Sequence, residues 1–253
     1  MELRKCEVTL GNLKIDTSEY DFDIDISLSC DESDINFDSC HISIRDVSDR
    51  VMKLARSSKA ENVIVSAGYG TSISVLCEMR VMELDIRRVG ASNQVTIYGR
   101  AYIPELYNKF SKSYAKSTPY ATIIKDAAQS AGISDASIKL ENPISCTYPK
   151  SVLGTIKDVI LSHAHKCRTE VNIWRQNLYV GNQYSMTVSR TYSAERIHSL
   201  SSASAEVDCT GTVRPQSYIK LRNVTQRVTK AHHILERDGD WKTILTFGES
   251  FYA

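Results

Sequence analysis

No stretch of this chain approaches eighteen consecutive apolar residues, and Met1-Glu-Leu-Arg-Lys-Cys6 lacks the apolar centre of a secretion signal. The first absence excludes a helical membrane span, and the second gives no reason to expect export. No C-x-x-C pair is present. The seven cysteines, an odd number, are scattered at Cys6, Cys30, Cys40, Cys77, Cys146, Cys167 and Cys209. They read as reduced thiols made in a cytoplasm, several acting as small buried hydrophobes. Asn223-Val-Thr225 matches a glycosylation acceptor but carries little weight without a secretion signal. Net charge is also nearly absent, at +1 over 253 residues, so nothing draws the whole molecule to nucleic acid or anionic lipid.

That neutrality hides an uneven distribution. Asp16 to Arg50 holds eleven acidic residues against two basic ones, whereas Arg214 to Lys230 holds five basic residues and no acid. The plain reading is solvated faces; the sharper one is a molecule whose two halves meet partners of different sign.

The dominant pattern is that of strands. Thr71 to Arg88 is very long for one strand, with Ile73, Val75, Cys77, Met79 and Val81 on one parity and Leu84 and Ile86 on the other. Strict alternation marks a buried face, and the change of parity predicts a β-bulge between Val81 and Leu84. Gly90-Ala-Ser-Asn93 then turns the chain, and Gln94 to Gly99 returns with Val95 and Ile97 inward. A long bulged hairpin curls a sheet. On this reading Val75→Asp places a charge in the core and costs several kcal/mol, roughly the penalty of an unpaired buried charge.

Earlier in the chain, Cys6 to Ile15 reads as a strand pair broken at Gly11-Asn12. Tyr20 to Leu28 alternates Phe22, Ile24, Ile26 and Leu28 with Asp21, Asp23, Asp25 and Ser27. Asn36 to Val47 is a strand marked by Phe37, Ile42 and Ile44, followed by a short helix over Ser48–Ala55 and a strand from Glu61 to Gly70. The stretch from Pro104 to Lys116 reads as a basic loop. A helix follows to about Ala131, with a hydroxyl cap in Ser117-Thr118 and Pro119 in its first turn. Its apolar stripe is Ile123, Ile124, Ala127, Ala128 and Ala131. A second helix is predicted over Ser151–Lys166, and a hairpin over Glu170–Gly181 turning at Arg175 to Asn177. Ser193 to Ala205, rich in serine and alanine, reads as a linker or exposed loop. Ser217–Leu221 is a strand, and Gln226–Arg237 and Trp241–Gly248 form a second long hairpin at Asp238-Gly239.

The chemistry-bearing patterns are weak. Asp21-x-Asp23-x-Asp25 has the spacing that opens a calcium loop, but the required glycine and closing glutamate are missing, so a strand with an acidic face is expected. Gly68-Tyr-Gly70 lacks the third glycine and the following helix of a dinucleotide loop. His163 and Cys167 stand four apart, yet no second pair matches them, so they are expected to be structural and not zinc ligands. Glu78 and Glu83 offer two carboxylates without a visible cleft, which a glycosidase would need. Lys220, Arg222, Arg227 and Lys230 beside Tyr218 could bind single-stranded nucleic acid. The expectation is no catalytic residue, no cofactor and no metal. The fold expected is α+β, mainly β, with two curled β-barrel-like units around a small helix-containing middle region. Its segments would be 1–101 for the first unit, 102–200 for the middle and 201–253 for strands of the second.

Several stretches resemble phage tail baseplate hub proteins of the late-control-D-like group. They are Val65-Ser-Ala-Gly-Tyr-Gly70 with the long run to Tyr102, Pro119 to Ile133, Val152 to Leu161 leading to a hairpin like Val171–Gly181, Val213 to Leu221, and Val228 to Leu235 with Asp238 to Thr243. Their order carries the resemblance more than any one motif, and it covers most of the chain. Where relatives place a glycine before the histidine-bearing strand, this chain has Arg222 to Gln226. No stretch of these 253 residues resembles the lysozyme-like or peptidase-like domain of some relatives, so wall-cutting activity is not expected of them.

The resemblance implies a structural virion protein, not an enzyme. It would be a homotrimer joining the tail tube protein to a spike or tail-tip protein. The tape measure protein would be a further partner, and DNA would meet it only in passage. It implies assembly in the host cytoplasm, a place in the virion tail baseplate, and no membrane binding by this chain itself. In such a ring Asp21, Asp23 and Asp25 would face the lumen. The alternatives are a tail-tip cell-wall hydrolase and a nucleic-acid-binding β-barrel protein.

Overall fold

The computed structural model describes residues 4–29, 38–57, 60–134, 136–174, 177–181, 188–209, 213–239 and 241–248. Cys30, Phe37, Arg175 and Gln176 lie outside them. The protein is α+β and mainly β. The chain divides into two compact units, one of residues 1–29, 38–101 and 186–253, the other of residues 30–37 and 102–185. Among the described residues no helix is long and apolar enough to cross a membrane.

The first unit begins with β1 (Arg4–Leu10), β2 (Leu13–Asp16), β3 (Asp21–Ser29), β4 (Ser39–Arg45), helix α1 (Asp49–Ser57), β5 (Asn62–Tyr69), β6 (Ser72–Val89) and β7 (Ser92–Arg100). The second unit follows with β8 (Lys109–Tyr114), α2 (Tyr120–Ser130), β9 (Ser137–Ile138), β10 (Lys150–Thr155), α3 (Ile156–Lys166), β11 (Val171–Trp174) and β12 (Asn177–Val180). The chain then returns to the first unit as β13 (Val188–Tyr192), β14 (Ile197–Leu200), β15 (Ser204–Asp208), β16 (Tyr218–Leu221), β17 (Val224–Glu236) and β18 (Trp241–Phe247).

In the first unit the strands make one sheet in the order β14-β15-β18-β17-β3-β4-β7-β6-β5-β1-β2, with β16 on β17 and β13 beside β16. The bond between its early and late strands is the antiparallel pair β3–β17, Lys230↔Ser29 to Glu236↔Asp23. Among the described residues no pairing joins β14 to β2, so the sheet is curled but open. The curl brings the end of β5 to the start of β18. Tyr69 donates its hydroxyl to the Trp241 carbonyl at 3.3 Å, and the Trp241 ring packs edge-on against Tyr69 and Phe22.

β6 makes the curl. It pairs with β5 from Ser72 to Arg80 and with β7 from Arg80 to Val89, so one strand serves two neighbours in succession. The predicted bulge is present: Val81 faces Gly99, Glu83 faces Tyr98, and Met82 is the extra residue. A second bulge was not anticipated. Cys77 faces Val65 but Val75 faces Ser66, which makes Leu76 the extra residue. An extra residue moves every following side chain to the other face. Leu76, Cys77 and Met79 are therefore buried, Ser74 takes the place opposite Ala67, Val75 and Val81 are only half-buried, and Ile73 is 42% exposed. This corrects the expectation that Ile73, Val75 and Val81 lie in the core, while Val95 and Ile97 on β7 are fully buried as expected. Gly99 lies where the bend folds β5 toward β7. A Cβ there would stand 2.6 Å from Cys40 Sγ and 2.9 Å from Val63 Cγ1.

The second unit packs α2 against α3, with Ile123, Ile124, Ala127 and Ala128 meeting a face of Ile156, Val159, Ile160 and Ala164. Several small side chains let the two helices approach closely. Residues 151–155, expected at the start of a helix, instead belong with Lys150 to β10, paired with β8, itself in the stretch expected as a loop. The helix starts only after Thr155, whose hydroxyl oxygen accepts the Asp158 N–H at 3.1 Å. Pro119 is the residue that precedes α2, and no side chain caps it: the Thr118 hydroxyl bonds back to the Ala115 carbonyl. β11 and β12 form the predicted hairpin, and β9 adds in parallel to β12. The supposed linker Ser193–Ala205 is also corrected, since it contains β14 and enters β15.

Candidate assembly surface

Alternation on β3 sends Phe22, Ile24, Ile26 and Leu28 into the core and leaves Asp21, Asp23 and Asp25 half-exposed on the opposite face. The register decides what surrounds each carboxylate. Asp21 lies opposite Arg45 and forms an ion pair at 2.7 Å. Asp25 accepts from His232 Nε2 at 2.7 Å. Asp23 lies between Ser43 on β4 and Glu236 on β17. The row is therefore not a bare anionic ladder: Arg45 removes one charge, and Glu236 returns one.

The same polar face continues across neighbouring strands. On one side, β7 offers Gln94, Thr96 and Tyr98 in register with β4, the Tyr98 ring lying 4.6 Å from that of His41. On the other, β18 and β15 place Lys242 and Glu206 within 3.4 Å. Eight strands, from β14 through β6, thus share one broad surface whose other side is the apolar core.

That eight-strand surface ends in two unpaired edges among the described residues. β14 pairs only with β15. β6 has left β5 behind beyond Val81, so Met82 to Val89 pair only with β7. Met82 and Val89 are each 52% exposed, and Leu200 on β14 is 41% exposed. An unpaired edge with exposed apolar side chains is a template for another strand.

The remaining candidates are not brought together as a reaction would need. Glu78 lies opposite Ile64 and Glu83 opposite Tyr98, on the two differently partnered halves of β6. Of the basic group, Tyr218 faces Arg227 and Lys220 faces Thr225, whereas Arg222 sits in the turn and Lys230 pairs with Ser29. His163 and Cys167 are buried in the second unit. His163 Nδ1 lies 2.7 Å from the Val159 carbonyl, so Nδ1 carries the proton. Nε2 then accepts from the Lys150 ammonium at 3.1 Å. The nitrogen a metal would use faces a cation, and burial pushes the Cys167 thiol up.

Two buried titratable groups escaped the sequence reading. Asp38, 2% exposed, accepts the Ser29 N–H at 3.0 Å while its carbonyl accepts from Ala101. Burial raises its carboxyl to about 8, partly opposed by the Ser29 bond. His233, fully buried, bonds Thr243 Oγ1 through Nδ1 at 2.8 Å. Burial first, and then His232, lowers it to about 3. Alternation on β17 could have placed His233 inward; nothing local marks Asp38, whose hydrogen bonds come from Ser29 and from Ala101 just past the end of β7.

No protein-family model and no curated protein sequence matches this chain. Solved structures do. A tail protein from Neisseria meningitidis MC58 superposes with a TM-score of 0.68 over 98% of this chain and 97% of that one, at 12% identity. The 43 kDa tail protein of prophage MuSo2 from Shewanella oneidensis gives 0.65 over 97% of both chains, at 8% identity. This chain has a phage tail protein fold. A type VI secretion system component of E. coli, itself described as similar to bacteriophage T4 tail proteins, gives 0.58 over 96% of this chain and 77% of that one, at 8% identity. The fold is therefore shared by phage tails and a type VI secretion component.

Proposed function

We propose that this chain is a non-enzymatic structural protein of a phage tail or tail-like particle. Three copies close into a ring, the central hub between tail tube and spike. The observation that carries the reading is the eight-strand surface with an unpaired edge at each end. Edges that differ, β14 on one side and Met82–Val89 on the other, associate head to tail, and such contacts form a closed ring when the rotation closes. A ring built this way pairs both of these edges. In it the tube protein meets one rim and the spike or tail-tip protein the other, while tape measure protein and DNA pass through the lumen. Asp21, Asp23 and Asp25 face that lumen. The tail-protein fold, matched over nearly the whole length, supports this reading.

Light scattering on the purified chain tests it. A particle of three times the 28.4-kDa chain mass is expected, ring-shaped in negative stain. A monomer at concentrations up to the millimolar range overturns the trimeric ring. Cell-wall zymograms are expected to be blank, and a cleared band overturns the non-enzymatic role.

A further inference from the structure

Two ammonium groups in the second unit share one aromatic platform without a counter-charge. Lys150, at the start of β10, holds its Nζ 5.4 Å from the centre of the Tyr120 ring, and Lys166, at the end of α3, holds its Nζ 6.0 Å from the same ring. The Tyr120 ring is fixed in turn by an edge-on contact with His163, ring centres 4.8 Å apart. Among the described residues neither lysine forms an ion pair. Lys150 spends one N–H on His163 Nε2, which leaves it two donors; Lys166 is exposed with three. Burial and then Lys166 hold Lys150 below the ordinary lysine range, and burial together with both lysines lowers His163.

Like charges are not gathered on a half-buried ring for stability, because each raises the cost of the other. An oxyanion between them would relieve that repulsion and accept charge-assisted hydrogen bonds from both. We propose that Lys150 and Lys166, carried on Tyr120, bind a carboxylate presented by an acidic segment of a partner polypeptide. Two ammonium donors held on one ring match a carboxylate by charge, and Tyr148, two residues before Lys150 in the chain and 76% exposed, is free to contact a bound segment. The site lies wholly within the second unit and does not depend on how the first unit assembles.

The test uses the full chain at constant ionic strength with three probes: sodium chloride, inorganic phosphate and a capped tetraglutamate peptide. The readouts are peptide affinity by calorimetry and the titration of His163 by NMR. The peptide is expected to bind and to shift the His163 titration upward, because it neutralises the two facing lysines. Lys166→Gln is expected to weaken peptide binding about tenfold, the effect of losing one charge-assisted bond. Lys125→Gln, on α2, should leave it unchanged. Lys150→Met tests the second donor, and Lys166→Gln decides alone if that variant does not fold. An equal response to chloride, or a peptide affinity unchanged in Lys166→Gln, overturns the site. Binding of phosphate with none of the peptide overturns the carboxylate partner.

Discussion

The two longest strands, β6 and β17, are built alike and placed differently. Each changes partner part-way along and each is bulged: β6 at Leu76 and Met82, β17 between Val228 and Lys230 against β18. From Lys230 to Leu235, β17 lies between β18 and β3, and Ala231, His233 and Leu235 are at most 1% exposed. β6 beyond Val81 has one neighbour, and there Met82 and Val89 stay 52% exposed. A bulge bends a strand in both places. What separates a core strand from an edge is whether a second neighbour arrives, and for β6 beyond Val81 none does among the described residues.

The largest effect tests the bulges themselves. Leu76→Asp and Leu235→Asp each put a carboxylate into a closed core and should cost about 3–5 kcal/mol, if the variants fold at all. Val75→Asp, half-buried and beyond the Leu76 bulge, should cost about 1 kcal/mol or less. Urea unfolding of the three variants measures the contrast. Should Val75→Asp prove as damaging as Leu76→Asp, the second bulge is absent and the simple alternation holds.

A smaller effect is expected where β6 folds its neighbours together. Gly99→Ala adds a methyl into Cys40 Sγ and Val63 Cγ1 and should cost about 1–3 kcal/mol by overpacking. On the late strands the tight place is at the end of β18, where a Cβ on Gly248 would stand 2.9 Å from Thr229 Cγ2 of β17. A neutral Gly99→Ala would mean that β5 and β7 do not close over the bend.

The two halves of the sheet also differ in the sign of their response to pH. Asp38, between β3 and β4, titrates near 8 in the folded chain and near 3.8 when unfolded, so the folded state holds its proton more tightly. Its stabilisation is complete below the unfolded value and is lost as pH rises through the interval. The slope is at most about 1.4 kcal/mol per pH unit. His233 on β17 titrates near 3 folded and near 6.5 unfolded, so there the unfolded state holds the proton more tightly. Its contribution is complete above 6.5 and is lost as pH falls toward 3. The slopes oppose one another below 6.5, and only Asp38 acts from 6.5 to 8. Stability should therefore decline across that upper window, and Asp38→Asn should flatten it. A decline that persists in Asp38→Asn would assign it to another group.

Much of this was legible in the sequence where one side chain pattern met one neighbour. The alternation of β3, the Met82 bulge, the α2 stripe and the Val171–Val180 hairpin are local signals. The misread pieces were those whose state depends on a distant strand. Val152, Ile156, Val159 and Ile160 fit a helical period, yet β8 captures Val152 as a strand residue, and Thr155-Ile-Lys-Asp158 marks the true helix start. The serine-rich composition of 193–205 hid β14, which exists because β15 passes beside it. The acidic row was visible as residues, but its partners Arg45, His232 and Glu236 come from two other strands, one of them more than two hundred residues away.

The smallest expected effect concerns that row and separates the inner face of a ring from an outer one. On this stretch Asp21, Asp23, Asp25 and Glu236 oppose Arg45, which leaves three negative charges per copy before the histidines are counted. Held around a lumen, the stretches of three copies repel one another within reach of unscreened charge; the screening length is about 8 Å at physiological salt. On an outer rim they would be far apart and already screened. The lumenal placement therefore predicts that salt tightens the assembly, and that replacing Asp21, Asp23 and Asp25 with Asn removes most of that dependence. The same wall repels phosphate, which keeps DNA from adhering in passage. Each exposed charge is worth only about 1 kcal/mol or less, so the readout must be the slope of trimer dissociation against salt and not stability alone. A triple variant with an unchanged slope, or a trimer structure with all three side chains on the outer rim, removes these residues from the lumen.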